Sequence, residues 1–217
     1  MKIKWLGHSC FLITLKDGRK IITDPYDDTV GYRPVDESSD FVLVSHDHFD
    51  HNCTDGIKGS YTKIDSPGEH IIDDGLSFTG IEQPHDEENG KKRGTVITYI
   101  IKADGLTVLH LGDLGIEPSD NYLEQLPLID IMLIPVGGVY TINGDQACSV
   151  LEKIHPNITI PMHYMTEELT FRLDSIQPFI DACRSKVDIS RLSDSEFEID
   201  KTNLKKRQRV IVMKNSN

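Results

Sequence analysis

No stretch of the 217 residues approaches the roughly 20 consecutive apolar residues that a membrane-spanning helix needs. Met1-Lys2-Ile3-Lys4-Trp5 reads as the start of a strand rather than a signal peptide. Cysteine is scarce: Cys10, Cys53, Cys148 and Cys183 are scattered without CxxC spacing, so reduced thiols and a cytoplasmic location are expected. Cys53 is read as a small buried thiol rather than a ligand or nucleophile. Cations are in short supply, with 23 Lys and Arg against 35 Asp and Glu and a formal net charge of −12. Such a field repels nucleic acid and anionic membrane surfaces at long range, which leaves a small molecule as the expected partner. Repeats, low-complexity segments and interdomain linkers are also missing, so residues 1–217 are expected to form one domain. A hydrophobic content of 38% is enough for a globular core.

What the chain does have is Ser45-His46-Asp47-His48-Phe49-Asp50-His51, directly after the apolar run Phe41-Val42-Leu43-Val44. That run reads as the buried end of a strand. On extended backbone His46 and His48 project to the same side, and a turn brings Asp50 and His51 to face them. Imidazole nitrogens and carboxylate oxygens gathered this way suit a zinc, manganese or iron ion better than a solvated loop.

Strands are expected over residues 2–6 and 9–15, with Lys16-Asp17-Gly18-Arg19 turning into Lys20-Ile21-Ile22-Thr23. Asp24 closes that strand, where it could accept an N–H from a metal-bound imidazole. Residues 25–39 are loop, and 52–58 are expected to form a short helix. Further strands are read at 61–64, 69–73, 76–82, 95–102, 106–111, 129–134 and 158–160. Helices are read at 119–126 with Ser119 as cap, 145–154 and 174–186, the last with Ile176, Phe179, Ile180 and Cys183 on one face. Short strands at 187–190, 196–199 and 208–213 complete the chain, and Lys205-Lys206-Arg207 reads as edge-strand protection.

One pattern recurs along the chain. His46 and His48, His85, Asp113 and His163 each follow an apolar strand run, and strand-end loops on one edge of a sheet can converge. His46, His48 and His85 would form one triad; Asp50, His51 and His163 would form a second, with the Asp113 carboxylate bridging the two. Two metals roughly 3.5–4 Å apart polarise a scissile group and share a hydroxide whose pKa falls towards about 7. Asp50 could orient that hydroxide or accept its proton. His110 alternates with Leu109 and Leu111, and reads equally as a group behind the ligands or as a satisfied core histidine. His8 and Ser9 could rim the site, although a structural hydrogen bond is the better reading. His70 and His155 have no supporting pattern. Lys91, Lys92 and Arg93, with the Gly137-Gly138 loop, are the segments expected to touch substrate, the cations favouring a phosphate or carboxylate.

Trp5-Leu6-Gly7-His8-Ser9, Thr23-Asp24-Pro25, the SHDHFDH run, Gly112-Asp113 and Ile160-Pro161-Met162-His163-Tyr164 resemble the metallo-β-lactamase superfamily, in order, over residues 5 to 164. The branch they resemble is the small metal-dependent hydrolases similar to ascorbate-6-phosphate lactonase and, more distantly, N-acylphosphatidylethanolamine phospholipase D. This resemblance implies an α/β fold of the α+β kind, a four-layer αββα sandwich with a dinuclear site in the cleft. By correspondence His46, His48, Asp50, His51, His85, Asp113 and His163 are the ligands, with Asp24 behind them. It further implies two divalent cations, zinc first with manganese or iron as alternatives, and allows a homo-oligomer.

The expected activity is hydrolysis of an ester, lactone or phosphodiester of a small molecule, with Asp50 and Asp113 catalytic. A redox reading fits less well, because the di-iron branch has glutamate where this chain has His48 and requires a flavin partner domain. A nucleic-acid-processing reading lacks a substrate-gripping arm, and the acidic balance removes the main electrostatic term in such binding. A non-enzymatic module would not be expected to keep the complete ligand set.

Overall fold

The computed structural model describes residues 1–205 and 207–216. The chain begins with β1 (Lys2–Gly7), β2 (Cys10–Thr14), β3 (Lys20–Thr23), β4 (Phe41–Leu43) and β5 (Thr62–Ile64). Then come β6 (Gly68–Asp73), β7 (Leu76–Pro84), β8 (Thr95–Ala103) and β9 (Leu106–His110). Next are α1 (Asp120–Leu123), β10 (Ile131–Pro135), α2 (Gly144–Ile154) and β11 (Ile158–Met162). The last elements are α3 (Gln177–Cys183), β12 (Asp188–Arg191), β13 (Glu196–Glu198) and β14 (Arg209–Val212).

Two sheets form, one in the order β13-β1-β2-β3-β4-β5 and one in the order β12-β14-β11-β10-β9-β8-β7-β6. Period-two alternation explains how they face each other. Ile3, Trp5, Phe11, Ile13, Ile21 and Leu43 point into the core shared with Phe78, Tyr99, Ile101, Val108 and Ile160 of the larger sheet. Leu12, Ile22 and Val42, one residue out of step, point the other way into a second cluster. The strands β10 and β11 are buried along their whole length, as parallel strands covered on both faces must be. Ala147, Cys148 and Leu151 of α2 and Phe179 and Cys183 of α3 join the main core as the outer layer of the larger sheet. Outside the smaller sheet the covering layer is loop, supplied by Tyr26, Val30, Tyr32, Leu169 and Leu173.

Strand directions place the site. Because β1 opposes β2 and β2 opposes β3, while β3 and β4 are parallel, β1, β3 and β4 all end at the same edge. In the larger sheet β7 opposes β8, β8 opposes β9, and β9, β10 and β11 are parallel, so β7, β9, β10 and β11 end together as well. The two edges are tied by the Ile97 N–H donating to the Ser45 carbonyl at 2.8 Å and the His163 N–H donating to the His8 carbonyl at 3.2 Å. Tyr99, on β8, donates its hydroxyl across the cleft to the carbonyls of Val44 (2.9 Å) and Ile64 (3.0 Å).

Three expectations are corrected here. No helix forms over 52–58, because its N–H groups are committed elsewhere: Cys53 to the Pro25 carbonyl at 2.8 Å and Lys58 to that of Glu37 at 2.8 Å. Gly56 packs so close to Val35 that a Cβ would sit 1.9 Å from its carbonyl oxygen. The expected helix at 119–126 is a single turn, α1, capped as anticipated by the Ser119 hydroxyl. The final helix is shorter than 174–186. It starts only at Gln177 because Pro178 has no N–H to give the Asp174 carbonyl, which accepts from Met165 N–H at 3.0 Å instead, and it ends early because Lys186 and Val187 both fold back to the Cys183 carbonyl. Lys206 lies outside the described residues, and with it the reading of 205–207 as edge protection.

Candidate metal centre

Each candidate ligand follows a strand that ends at the common edge. His8 follows β1, Asp24 follows β3, the 46–51 run follows β4, His85 follows β7, Asp113 lies just beyond β9, and His163 follows β11. Three of these turns are sharp enough to hold a non-glycine residue in the left-handed region: His8 at φ 51°, Asp24 at φ 41° and His163 at φ 51°. Such backbone persists only where surrounding contacts over-determine it, and it clusters at functional positions.

The side chains fall into overlapping groups whose potential ligand atoms lie within 4.8 Å of one another: His46, His48 and His85; His46, His51 and Asp113; and His8, Asp50, His51 and His163. Asp113 stands between them. Its Oδ2 is 3.1 Å from His163 Nε2, 3.8 Å from His85 Nε2 and 4.0 Å from His46 Nε2, and its Oδ1 is 3.3 Å from His51 Nε2.

Asp24 decides how two of the imidazoles present themselves. Its Oδ1 accepts the Ser45 N–H at 2.7 Å, and its Oδ2 accepts the Ser45 hydroxyl at 2.8 Å and His51 Nδ1–H at 3.0 Å. A hydroxyl has one proton. With that proton committed to Asp24, Ser45 Oγ is left to accept Nδ1–H of His46 at 2.9 Å. Both histidines therefore hold Nδ1 as a donor and turn Nε2 inward, the atom a metal-binding imidazole offers.

The donor set passes a direct test of fit. His46 Nε2, His51 Nε2, His163 Nε2 and Asp113 Oδ1 are buried and make no hydrogen bond. Buried polar atoms normally find partners, and three inward nitrogens with a carboxylate oxygen suit a divalent cation. Burial disfavours the charge on Asp113, but His163 and His51 outweigh it and hold its pKa well below the usual carboxylate range. For His51 burial disfavours the proton, but the carboxylates of Asp113 and Asp50 outweigh it and raise the pKa well above the ordinary value, so a cation at Nε2 would bind by displacing a proton.

A profile of the beta-lactamase superfamily domain matches residues 2–163. A UPF0173 metal-dependent hydrolase of Nanoarchaeum equitans is 33% identical over 191 residues, covering 76% of this chain and 85% of that protein. The chain belongs to the metallo-β-lactamase superfamily. A UPF0173 metal-dependent hydrolase of Methanospirillum hungatei is 31% identical over 188 residues, covering 76% of this chain and 84% of the relative. A Thermotoga maritima crystal structure, described as a zinc-dependent hydrolase of the metallo-β-lactamase superfamily, superposes with a TM-score of 0.79 at 32% identity, covering 98% of this chain and 97% of that one. These relatives carry no substrate in their names, and the narrower likeness to ascorbate-6-phosphate lactonases gains no support from them.

The residues expected as ligands lie together, and the structure places a further histidine beside them. His8 is fully buried, its Nε2 lies 3.1 Å from Asp50 Oδ2, and its ring packs 4.1 Å from that of His163. Burial, then the neighbouring His163, push its pKa down to about 4 against the pull of Asp50, so at neutral pH the imidazole is neutral and donates Nε2–H to the carboxylate. The sequence reading expected a structural hydrogen bond here. The bond is real, but its acceptor is a candidate ligand. The signal was present, since His8 ends a strand as His85 and His163 do. His110 sits behind the cluster with both nitrogens engaged: Nε2 donates to the Ser9 carbonyl at 3.0 Å, and Nδ1 accepts the Gly112 N–H at 3.1 Å.

A cavity of about 390 Å³ opens onto the cluster, lined by His48, Asp50, His85 and Asp113 on its floor and by Phe49, Lys92, Arg93, Tyr140 and Phe171 around them. Lys92 and Arg93 of the expected substrate segment reach it; Lys91, Gly137 and Gly138 are not among its lining residues. Gly137 instead backs the ligand loop, where a Cβ would stand 2.1 Å from the His163 carbonyl oxygen. The 86–93 loop is organised by Asp86, which sequence reasoning passed over. Its Oδ1 accepts the N–H groups of Glu88 (2.8 Å) and Gly90 (3.0 Å), and its Oδ2 those of Lys92 (2.8 Å) and Arg93 (2.8 Å). Burial works against the charge, but these four donors prevail and hold the carboxyl at about 2.

Proposed function

We propose that this protein is a hydrolase that holds two divalent cations, zinc first among them, and cleaves an ester, lactone or phosphodiester bond of a small molecule. The observation that carries the reading is the placement of Asp113 between the His46–His48–His85 group and the Asp50–His51–His163 group, with four buried donor atoms unpartnered. Cations bound by these donors supply Lewis acidity and a hydroxide nucleophile at neutral pH.

The protein's own contribution is positional. Asp24 fixes His51 directly and His46 through Ser45, so neither imidazole rotates away when the substrate arrives. His8 occupies Asp50 Oδ2, leaving Oδ1 to orient the attacking water or accept its proton. Phe49, Tyr140 and Phe171 give the cavity an apolar wall beside the donor cluster.

The test is turnover of a phosphodiester panel and a lactone and ester panel by zinc- and manganese-reconstituted protein, with Asp113→Ala as control. Activity on one panel that disappears in the variant supports the proposal and names the bond. Equal activity in metal-stripped protein contradicts it.

A further inference from the structure

The mouth of the cavity is built unlike the rest of the surface. Among the described residues seven large hydrophobic side chains are exposed, and four of them, Phe49, Val139, Tyr140 and Met165, come from the loops that carry or flank the ligand cluster. Phe49 is 55% exposed and Tyr140 38%, yet each stands edge-on to Phe171, at 6.1 and 6.4 Å between ring centroids. Two exposed aromatic rings ordered against a half-buried third, which anchors them to the fold, form a ligand-binding wall rather than a core remnant. A volume of about 390 Å³ is that of a small-molecule site.

The two cations at this wall differ in availability. Lys92 is consumed by Glu87 at 2.6 Å and Glu88 at 2.8 Å. Arg93 has no carboxylate within ion-pair distance among the described residues, and its guanidinium lies over the Tyr140 ring, 5.0 Å from the centroid. A guanidinium held over a ring face in this way keeps N–H donors free to take an oxyanion in bidentate fashion. Its backbone is held in place by Asp86. In a chain of net charge −12, an unpaired arginine held rigidly beside the reactive centre marks where an anion is wanted.

From this arrangement we infer that the cavity selects a small amphiphilic anion, with an apolar body, aryl or short alkyl, seated against Phe49, Tyr140 and Phe171, and a carboxylate or phosphate taken by Arg93. This rests on the hydrolase reading for the position of the scissile bond, over Asp113 and His85, and adds the class of molecule that carries it. Arg93 and the three rings are specificity residues; they do not touch the bond that breaks.

Three non-hydrolysable probes separate the parts: methylphosphonate, benzylphosphonate and 4-carboxybenzylphosphonate, titrated calorimetrically into zinc-loaded protein. The ring is expected to improve binding at least about tenfold over methyl, and the added carboxylate by roughly a further tenfold. Arg93→Gln should erase the carboxylate gain and keep the ring gain, whereas Phe49→Ala and Tyr140→Ala should reduce the ring gain several-fold, all at unchanged zinc content. Equal affinity for the three probes, or a carboxylate gain that survives Arg93→Gln, overturns the inference. Discrimination among the probes without hydrolysis of any ester, lactone or phosphodiester retains this pocket and discards the proposed reaction. Hydrolysis without discrimination does the reverse.

Discussion

His8 Nε2 and Asp50 Oδ2 stand 3.1 Å apart, joining the end of the first strand to the histidine loop some forty residues later. The same Oδ2 is 3.5 Å from His51 Nε2, so His8 determines which way a carboxylate at the centre of the cluster faces. His8→Ala should weaken cation binding by about 10–100-fold, the usual cost of losing a partner behind a metal ligand. His8→Gln, which keeps an N–H donor, should recover part of it. Competition with a zinc indicator measures both, and unaltered affinity in His8→Ala would show that the pairing is incidental.

Asp24 is the most connected carboxylate beneath the cluster, and its loss strands Ser45 N–H and His51 Nδ1–H in a buried setting. Asp24→Ala should cost about 3 kcal/mol of stability, the scale for leaving buried donors unpaired. Denaturant unfolding of the metal-stripped variant gives the number directly, and a change below about 1 kcal/mol would contradict the network as described.

Gly137 gives a test of which loops serve the fold and which serve the substrate. A Cβ there meets the His163 carbonyl at 2.1 Å, so Gly137→Ala should destabilise by about 2 kcal/mol through overpacking. Thermal unfolding reads this out. A variant as stable as the parent with impaired substrate binding would return Gly137 to the substrate segment.

Asp86, next to His85, sets a pH dependence for the loop it organises. Its pKa in the fold, about 2, lies below the ordinary carboxylate value of 3.8, so its contribution is complete above that value and is lost as pH falls through about 2. Acid unfolding should therefore begin at higher pH in Asp86→Ala, with the 86–93 loop losing protection first. Hydrogen exchange between pH 5 and about 2 follows it, and identical profiles for variant and parent would refute the assignment.

Much of this could be read from residue order because the ligands obey a local rule: a polar side chain placed directly after an apolar run. That rule found His46, His48, His85, Asp113 and His163. Applied without exception it finds His8 too, which the sequence places at the rim of the site or, as the better reading, in a structural hydrogen bond. The strand pattern held closely, since alternation such as Lys2-Ile3-Lys4-Trp5 is itself the cause of burial. The absence of a helix at 52–58 was not legible, because the Cys53 and Lys58 N–H groups are claimed by the carbonyls of Pro25 and Glu37, which are distant in sequence, whereas the late start of α3 follows from Pro178. Asp86 was hidden for a related reason: its four partners are backbone amides, which every sequence possesses.

Under the proposed function Asp113 joins two adjacent cation sites. This joining is tested most directly by metal content after stripping and reconstitution with zinc, in the parent and in Asp113→Ala. The account predicts two equivalents per chain in the parent and at most one in the variant. A parent that retains one equivalent or fewer, or a variant that still holds two, would contradict it.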